Sequence, residues 1–380
     1  MADRDQPWKV SVKEVSMPLH PSLAAVLMMP PLLLGAAPAP PTAAALASRV
    51  LKDRSIPAVG IVVIRHGRIA DEAVAGVRAR DNPVPVRKSD LWHIGSDEKA
   101  MTATLIARLV ERGTLAWHMP LSRLIPELAT SMRPEYRSVD LVELLAHRAG
   151  LQDLIDSDYY ESLYHDRRPI HEQRVDYVKM ALSWPPAFPP GTDAKYSNRG
   201  TEIAALAAED ATRLDYEQLM RTEVFAPLGI RSARFDPPKR GELAGHDGDV
   251  PKYGLRADNP RVDAPAGEVR LTLDDWARFA IDQMEGDHGG GRLLRQSTYV
   301  LLHTAQARTI FGLGWGVRQS LDGVNGRFLT HSGSNGYWFA RIVLAPDREN
   351  GLLVVTNSAG AGAQKGVANV EAEVVRTLDQ

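Results

Sequence analysis

Ala58-Val59-Gly60-Ile61-Val62-Val63-Ile64-Arg65-His66-Gly67-Arg68-Ile69 decides the reading of the fold. The β-branched run Ala58 to Ile64 is a strand signal, and His66-Gly67-Arg68 turns it into a second extended run, Ile69 to Val77. Strand character returns only near the other end, in Phe328 to Thr330, Tyr337 to Leu344 and Leu352 to Thr356. Pro346-Asp347-Arg348-Glu349-Asn350-Gly351 joins the last two as a hairpin connection. Between the two ends, apolar residues recur at helical spacing: Met101, Leu105 and Leu109 with Ile106 and Val110, then Ile203 to Leu214, Tyr216 to Phe225 and Leu273 to Met284. A last helix, from about Gly366 to Leu378, is expected to cover the sheet. The pattern predicts an α/β (α+β) fold: one antiparallel sheet built from both termini and flanked by helices, with a mostly helical lobe inserted. Residues 48–95 and 306–380 would form the sheet lobe, residues 96–305 the helical lobe, and the active site would lie between them.

Composition narrows the chemistry. A formal net charge of −2 over 380 residues supplies no global field for nucleic acid or an anionic membrane. Zero cysteines exclude disulfides, thiolate metal sites and a cysteine nucleophile. The eleven histidines show no HxH or HExxH spacing, so neither a catalytic metal nor any other cofactor is expected. The apolar run Ser22 to Ala39 is split by Pro30-Pro31, and a spanning helix needs about 20 continuous apolar residues. It reads as a signal-peptide core, with Ala45-Leu46-Ala47 suited to a leader peptidase. Residues 1–47 are therefore set outside the fold as a leader. The protein is expected to be exported, periplasmic or extracellular, if that leader works, and cytoplasmic otherwise.

Three short motifs carry chemistry. Ser96 and Lys99 in His93-Ile94-Gly95-Ser96-Asp97-Glu98-Lys99 share one helix face at the start of the Met101 helix. A neutral amine within reach can take the proton of a serine hydroxyl. An ordinary helix start, with Ser96 as N-cap, is the plain alternative, but none of the other lysines has a serine three residues before it. An ordinary lysine is charged at neutral pH, so Asp97 and Glu98 are expected to face solvent rather than stabilise that charge. Lys195-Tyr196-Ser197-Asn198 could turn the Tyr196 phenol and the Asn198 amide toward one pocket. Thr330-His331-Ser332-Gly333-Ser334-Asn335-Gly336 offers hydroxyls, an imidazole and glycines for a substrate wall; a tight hairpin is its plain alternative. Neither Ser96 nor Ser334 lies in a G-x-S-x-G elbow.

Taken in order, with 100 residues between Ser96 and Tyr196 and 135 between Tyr196 and His331, the motifs resemble those of the serine β-lactamase and penicillin-binding-protein family. The likeness is greatest to its class C-like branch of β-lactamases, DD-peptidases, D-aminopeptidases and esterases. It extends to Leu144-Leu145-Ala146-His147-Arg148-Ala149-Gly150-Leu151, Phe225-Ala226-Pro227-Leu228-Gly229 and Phe311-Gly312-Leu313-Gly314-Trp315. The resemblance implies Ser96 as acylated nucleophile, Lys99 and Tyr196 as shared base and acid, and Asn198 as a hold on the substrate amide. The amides of Ser96 and Ser334 would form the oxyanion hole, with His331, Ser332 and Gly333 completing the substrate wall. His331 stands where the lactamases usually carry lysine, which implies a peptidase or esterase before a dedicated β-lactamase. The substrate would be a small ester, amide, peptide or β-lactam. The competing class is a penicillin-binding or sensor-like protein that acylates without efficient turnover.

Overall fold

A computed structural model of the chain describes residues 40–153 and 155–378. The apolar run Ser22 to Ala39 lies outside the described residues, and no described helix is long and apolar enough to cross a membrane.

The two ends of the chain do build one sheet. Its strands are β1 (Ala58–Arg65), β2 (Arg68–Ala79), β3 (Asn82–Pro85), β4 (Gly316–Leu321), β5 (Val324–Ser334), β6 (Phe339–Ala345) and β7 (Asn350–Thr356). The spatial order is β3-β2-β1-β7-β6-β5-β4, antiparallel throughout. The join is the pairing of β1 with β7, from Val59 opposite Thr356 to Ile64 opposite Gly351.

Helices cover both faces, which is why β1 and β7 read as unbroken apolar runs rather than alternating ones. Ala58, Val62 and Ile64 turn to the larger core with Leu353, Val355, Ala340 and Ile342. Val59, Ile61 and Val63 turn the other way with Leu352, Val354 and Val343. That second layer is closed by α1 (Ala43–Val50) and by the last helix, Ala361–Val375. Ala43, Leu46 and Ala47 are buried there, so residues 43–47 belong to the fold rather than to the leader in which the sequence placed them. The small side chains that suit a peptidase also let this helix lie close to the sheet.

The larger core runs without a break into the helical lobe. At its centre is α2 (Glu98–Glu111), buried on nearly every side from Glu98 to Leu109. Around it stand α3 (Ile170–Ala181), α4 (Arg199–Thr212) and α5 (Leu273–Asp287), the last packed against β1. The helix Ala361–Val375 is α6. Two strand features differ from expectation. β4 is polar along its outer half and gives little strand signal, and β5 continues through His331 to Ser334 instead of turning after Thr330.

Candidate active site

Residues 95–97 form one 3-10 turn between the two-residue strand Trp92–His93 and α2. Gly95 takes φ +51 there, and a Cβ would lie 2.4 Å from the Ser334 nitrogen. His93 fixes the turn from below: Nδ1 accepts the Gly95 N–H at 3.0 Å, so the ring proton sits on Nε2, 2.8 Å from Asp258 Oδ1. Asn335 donates to the same carboxylate oxygen at 3.2 Å. Sequence reading singled out neither His93 nor Asp258, which are 165 residues apart.

The helix-start alternative for Ser96 fails, since no side chain caps α2 and Asp97 occupies the N-cap position. Ser96 Oγ instead lies 3.0 Å from Lys99 Nζ. Lys99 is fully buried, donates to the Ala266 carbonyl at 2.6 Å, and has Nζ 5.1 Å from the centre of the Tyr196 ring.

Asp97 and Glu98 do not face solvent, which corrects the sequence expectation. Both are buried. Glu98 Oε2 accepts the backbone N–H groups of Glu268 and Val269 at 2.6 and 2.7 Å, and Oε1 meets the Tyr216 hydroxyl at 3.0 Å. Burial nevertheless outweighs these donors and pushes its carboxyl up to about 8. Asp97 Oδ1 lies 3.3 Å from His331 Nδ1. Burial raises the Asp97 carboxyl above its ordinary value, opposed by His331, Arg341 and Lys99. Neither Asp97 oxygen has hydrogen-bond geometry to a partner. The interaction with His331 is therefore a close contact of charge on imidazole rather than a formed bond.

Tyr196 to Asn198 lead into α4 and are pinned by Asp153, which accepts from Ser197 Oγ at 2.7 Å and the Asn198 N–H at 3.1 Å. The Tyr196 ring rests on His147, centroids 4.6 Å apart, with Phe311 6.4 Å away. His147 is buried and held at φ +59. Burial, then the positive charges of Lys99 and His331, drives its pKa down to about 3, so it is a neutral prop. Asn198 Oδ1 is buried without a partner, an acceptor left for something else.

The last four residues of β5 form the opposite wall. Gly333 lies against the turn at 95–97, where a Cβ would meet the Ile94 carbonyl at 1.8 Å and the Ser96 nitrogen at 2.8 Å. His331, two residues earlier on the same side, has its ring 6.2 Å from that of Tyr196, and its Nδ1 also meets the Ser332 carbonyl at 3.1 Å. A carbonyl can only accept, so Nδ1 carries the proton and Nε2 is the free face. Strand alternation sends Ser332 the other way, where its hydroxyl accepts from Arg341 Nη1 at 3.1 Å. Ser334 Oγ accepts the Gly336 N–H at 3.0 Å. Seven of the eight residues singled out in the sequence thus lie on or beside this cleft, whereas Ser332, expected on the substrate wall, projects to the other face of β5 toward Arg341. A cavity of about 730 Å³, lined by Tyr164, Glu217, Asp258, Arg261 and Glu268, contains none of them.

Comparison with known proteins bears on the family and the fold. The family model described as Beta-lactamase matches residues 43–375. Penicillin-binding protein 4 of Amycolatopsis lactamdurans is 25% identical over 81% of this chain and 83% of its own. Esterase EstB of Burkholderia gladioli is 29% identical over 59% and 61%. The solved structure of the octameric penicillin-binding protein homologue from Pyrococcus abyssi superposes with a TM-score of 0.71 at 20% identity, covering 86% of this chain and 75% of that one. At that identity the likeness shows a shared fold.

Proposed function

The chain belongs to the beta-lactamase family, and from that membership we propose that it hydrolyses a small ester, amide or β-lactam through an acyl-enzyme on Ser96. The supporting observation is the 3.0 Å approach of the buried Lys99 Nζ to the half-buried Ser96 Oγ. With the amine neutral, the serine hydroxyl donates to it as Oγ attacks the carbonyl carbon. The bond to the leaving group breaks as that group takes a proton from Lys99 or the Tyr196 phenol. Water then attacks the acyl carbon, the same bases take its proton, and the acid leaves with Ser96 restored.

The amides of Ser96 and Ser334 hold the developing oxyanion, each such donor being worth about 3 kcal/mol. The free Asn198 Oδ1 accepts an N–H of the substrate. His331 in place of a lysine favours an ester or a D-amino-acid peptide over a β-lactam. Asp97 acts through His331 as a positioning residue, keeping the Nε2 face toward the cleft.

The test is a panel of a chromogenic cephalosporin, a short-chain p-nitrophenyl ester and a D-Ala-D-Ala peptide, followed by intact mass. Turnover with a transient acyl adduct supports the reading; an adduct that persists supports a penicillin-binding protein without turnover. Ser96→Ala is expected to abolish the adduct. A labelled peptide mapping to Ser332 or Ser334 would overturn the assignment.

A further inference from the structure

Glu127, His171 and Asp210 meet in the helical lobe from three elements distant in sequence: the turn Pro126–Leu128, the first turn of α3 and the last turn of α4. One donor atom from each lies within 4.8 Å of the others. His171 Nε2 and Asp210 Oδ1 are 3.4 Å apart. Ligand atoms on a tetrahedral Zn²⁺, each about 2.0–2.2 Å from the metal, stand about 3.3–3.6 Å from one another.

The imidazole is held from behind. Its Nδ1 lies 3.1 Å from Glu209 Oε2, and Glu209 is itself fixed by Arg174 and by the Tyr216 N–H at 2.8 Å. A proton on Nδ1 donated to that carboxylate turns the Nε2 lone pair to Asp210, the orientation that carboxylate-backed metal ligands adopt. Two lone pairs then face each other unless a positive centre lies between them.

Asp210 points independently to that centre. Its side chain is 10% exposed, and neither carboxylate oxygen receives a hydrogen bond. It stands at the C-terminal end of α4, where the helix dipole disfavours negative charge, and Glu127 adds a second carboxylate. Arg123 and Arg213 line the adjoining cavity of about 270 Å³. Among the described residues, no arginine pairs with Asp210.

We propose that Glu127, His171 and Asp210 bind a divalent first-row cation, Zn²⁺ by the mixed imidazole and carboxylate donor set, with water as fourth ligand. The ion would clamp α3 and the turn at 126–128 to the end of α4. It takes no part in the Ser96 chemistry. Spacings of 44 and 39 residues between the ligands hide the site from any motif search.

The full chain, freed of metal with EDTA, is titrated with Co²⁺ and then Zn²⁺. One equivalent of Co²⁺ is expected to give visible ligand-field absorption of low-symmetry coordination, which one equivalent of Zn²⁺ removes. Asp210→Asn and His171→Gln are expected to weaken Zn²⁺ binding in calorimetry at least about tenfold. Glu127→Gln, at an exposed residue, repeats the test without risk to folding. Absence of stoichiometric binding would mean that a proton fills the gap. Binding retained in all three variants would place the metal elsewhere. Either result overturns the proposal.

Discussion

Asp97 and Glu98 are neighbours in sequence with opposite duties in space. Asp97 reaches under β5 to His331, whereas Glu98 is tied to Glu268, Val269 and Tyr216. Asp97→Asn removes a charge but little volume, and is expected to lower kcat/KM on a carboxylate-bearing substrate by about tenfold. Combined with His331→Gln, the two losses should not add. Additive losses would separate Asp97 from His331. Glu98 concerns stability. Its folded carboxyl lies near 8 against an ordinary 4.5, so the folded chain binds this proton more tightly than the unfolded one. That contribution is whole below about pH 4.5 and is lost as pH rises through about 8. Glu98→Gln keeps an oxygen for the two N–H groups and an amide donor for Tyr216. Urea midpoints should therefore show the variant gaining on the parent as pH rises from 5 to 8.5, and parallel curves would refute the assignment. The motif made Ser96 and Lys99 legible because they are three residues apart. The carboxylates were misread because acids in a first helical turn are ordinarily solvated, and their cover comes from distant segments, about 170 residues away for Glu98 and 234 for Asp97.

At the scale of elements, the site depends on how closely β5 can approach the turn at 95–97. Gly333 and Gly95 each occupy space that a methyl group would need. Gly333→Ala is expected to force β5 away from Ser96, separating the two oxyanion donors and costing at least about a hundredfold in acylation. Gly360→Ala, where nothing comes nearer than 4.0 Å, is the matched control and should acylate as the parent does. Equal rates in both variants would show that the approach is dispensable. The same contact explains why the extent of β5 was not legible. His331-Ser332-Gly333-Ser334 has the composition of a turn, but pairing with β6 from Ser332 opposite Arg341 to Ser334 opposite Phe339 keeps it extended. β1 and β7 were legible because burial on both faces leaves an unbroken apolar run, whereas the edge strand β4 buries only Gly316 and Val317 fully.

For the whole molecule, the start of the folded unit is testable. A chain beginning at Ser48 lacks Ala43, Leu46 and Ala47, which lie buried against the second face of the sheet. Burying one leucine is worth about 1.5–3 kcal/mol, and loss of most of α1 is expected to lower the melting temperature by several degrees relative to a chain beginning at Pro40. Equal melting temperatures would show that α1 adds nothing to stability. The sheet order has a further consequence for synthesis. β1 is made early, yet its inner neighbour β7 follows only after about 290 residues. Throughout that interval, an apolar strand destined for cover on both faces hangs from the ribosome with one edge unpaired. Such a chain completes its sheet only once β7 has emerged. Ribosome-tethered chains halted before residue 350 should accordingly resist labelling by a fluorescent penicillin or phosphonate, which turns the nucleophile into a reporter of finished folding.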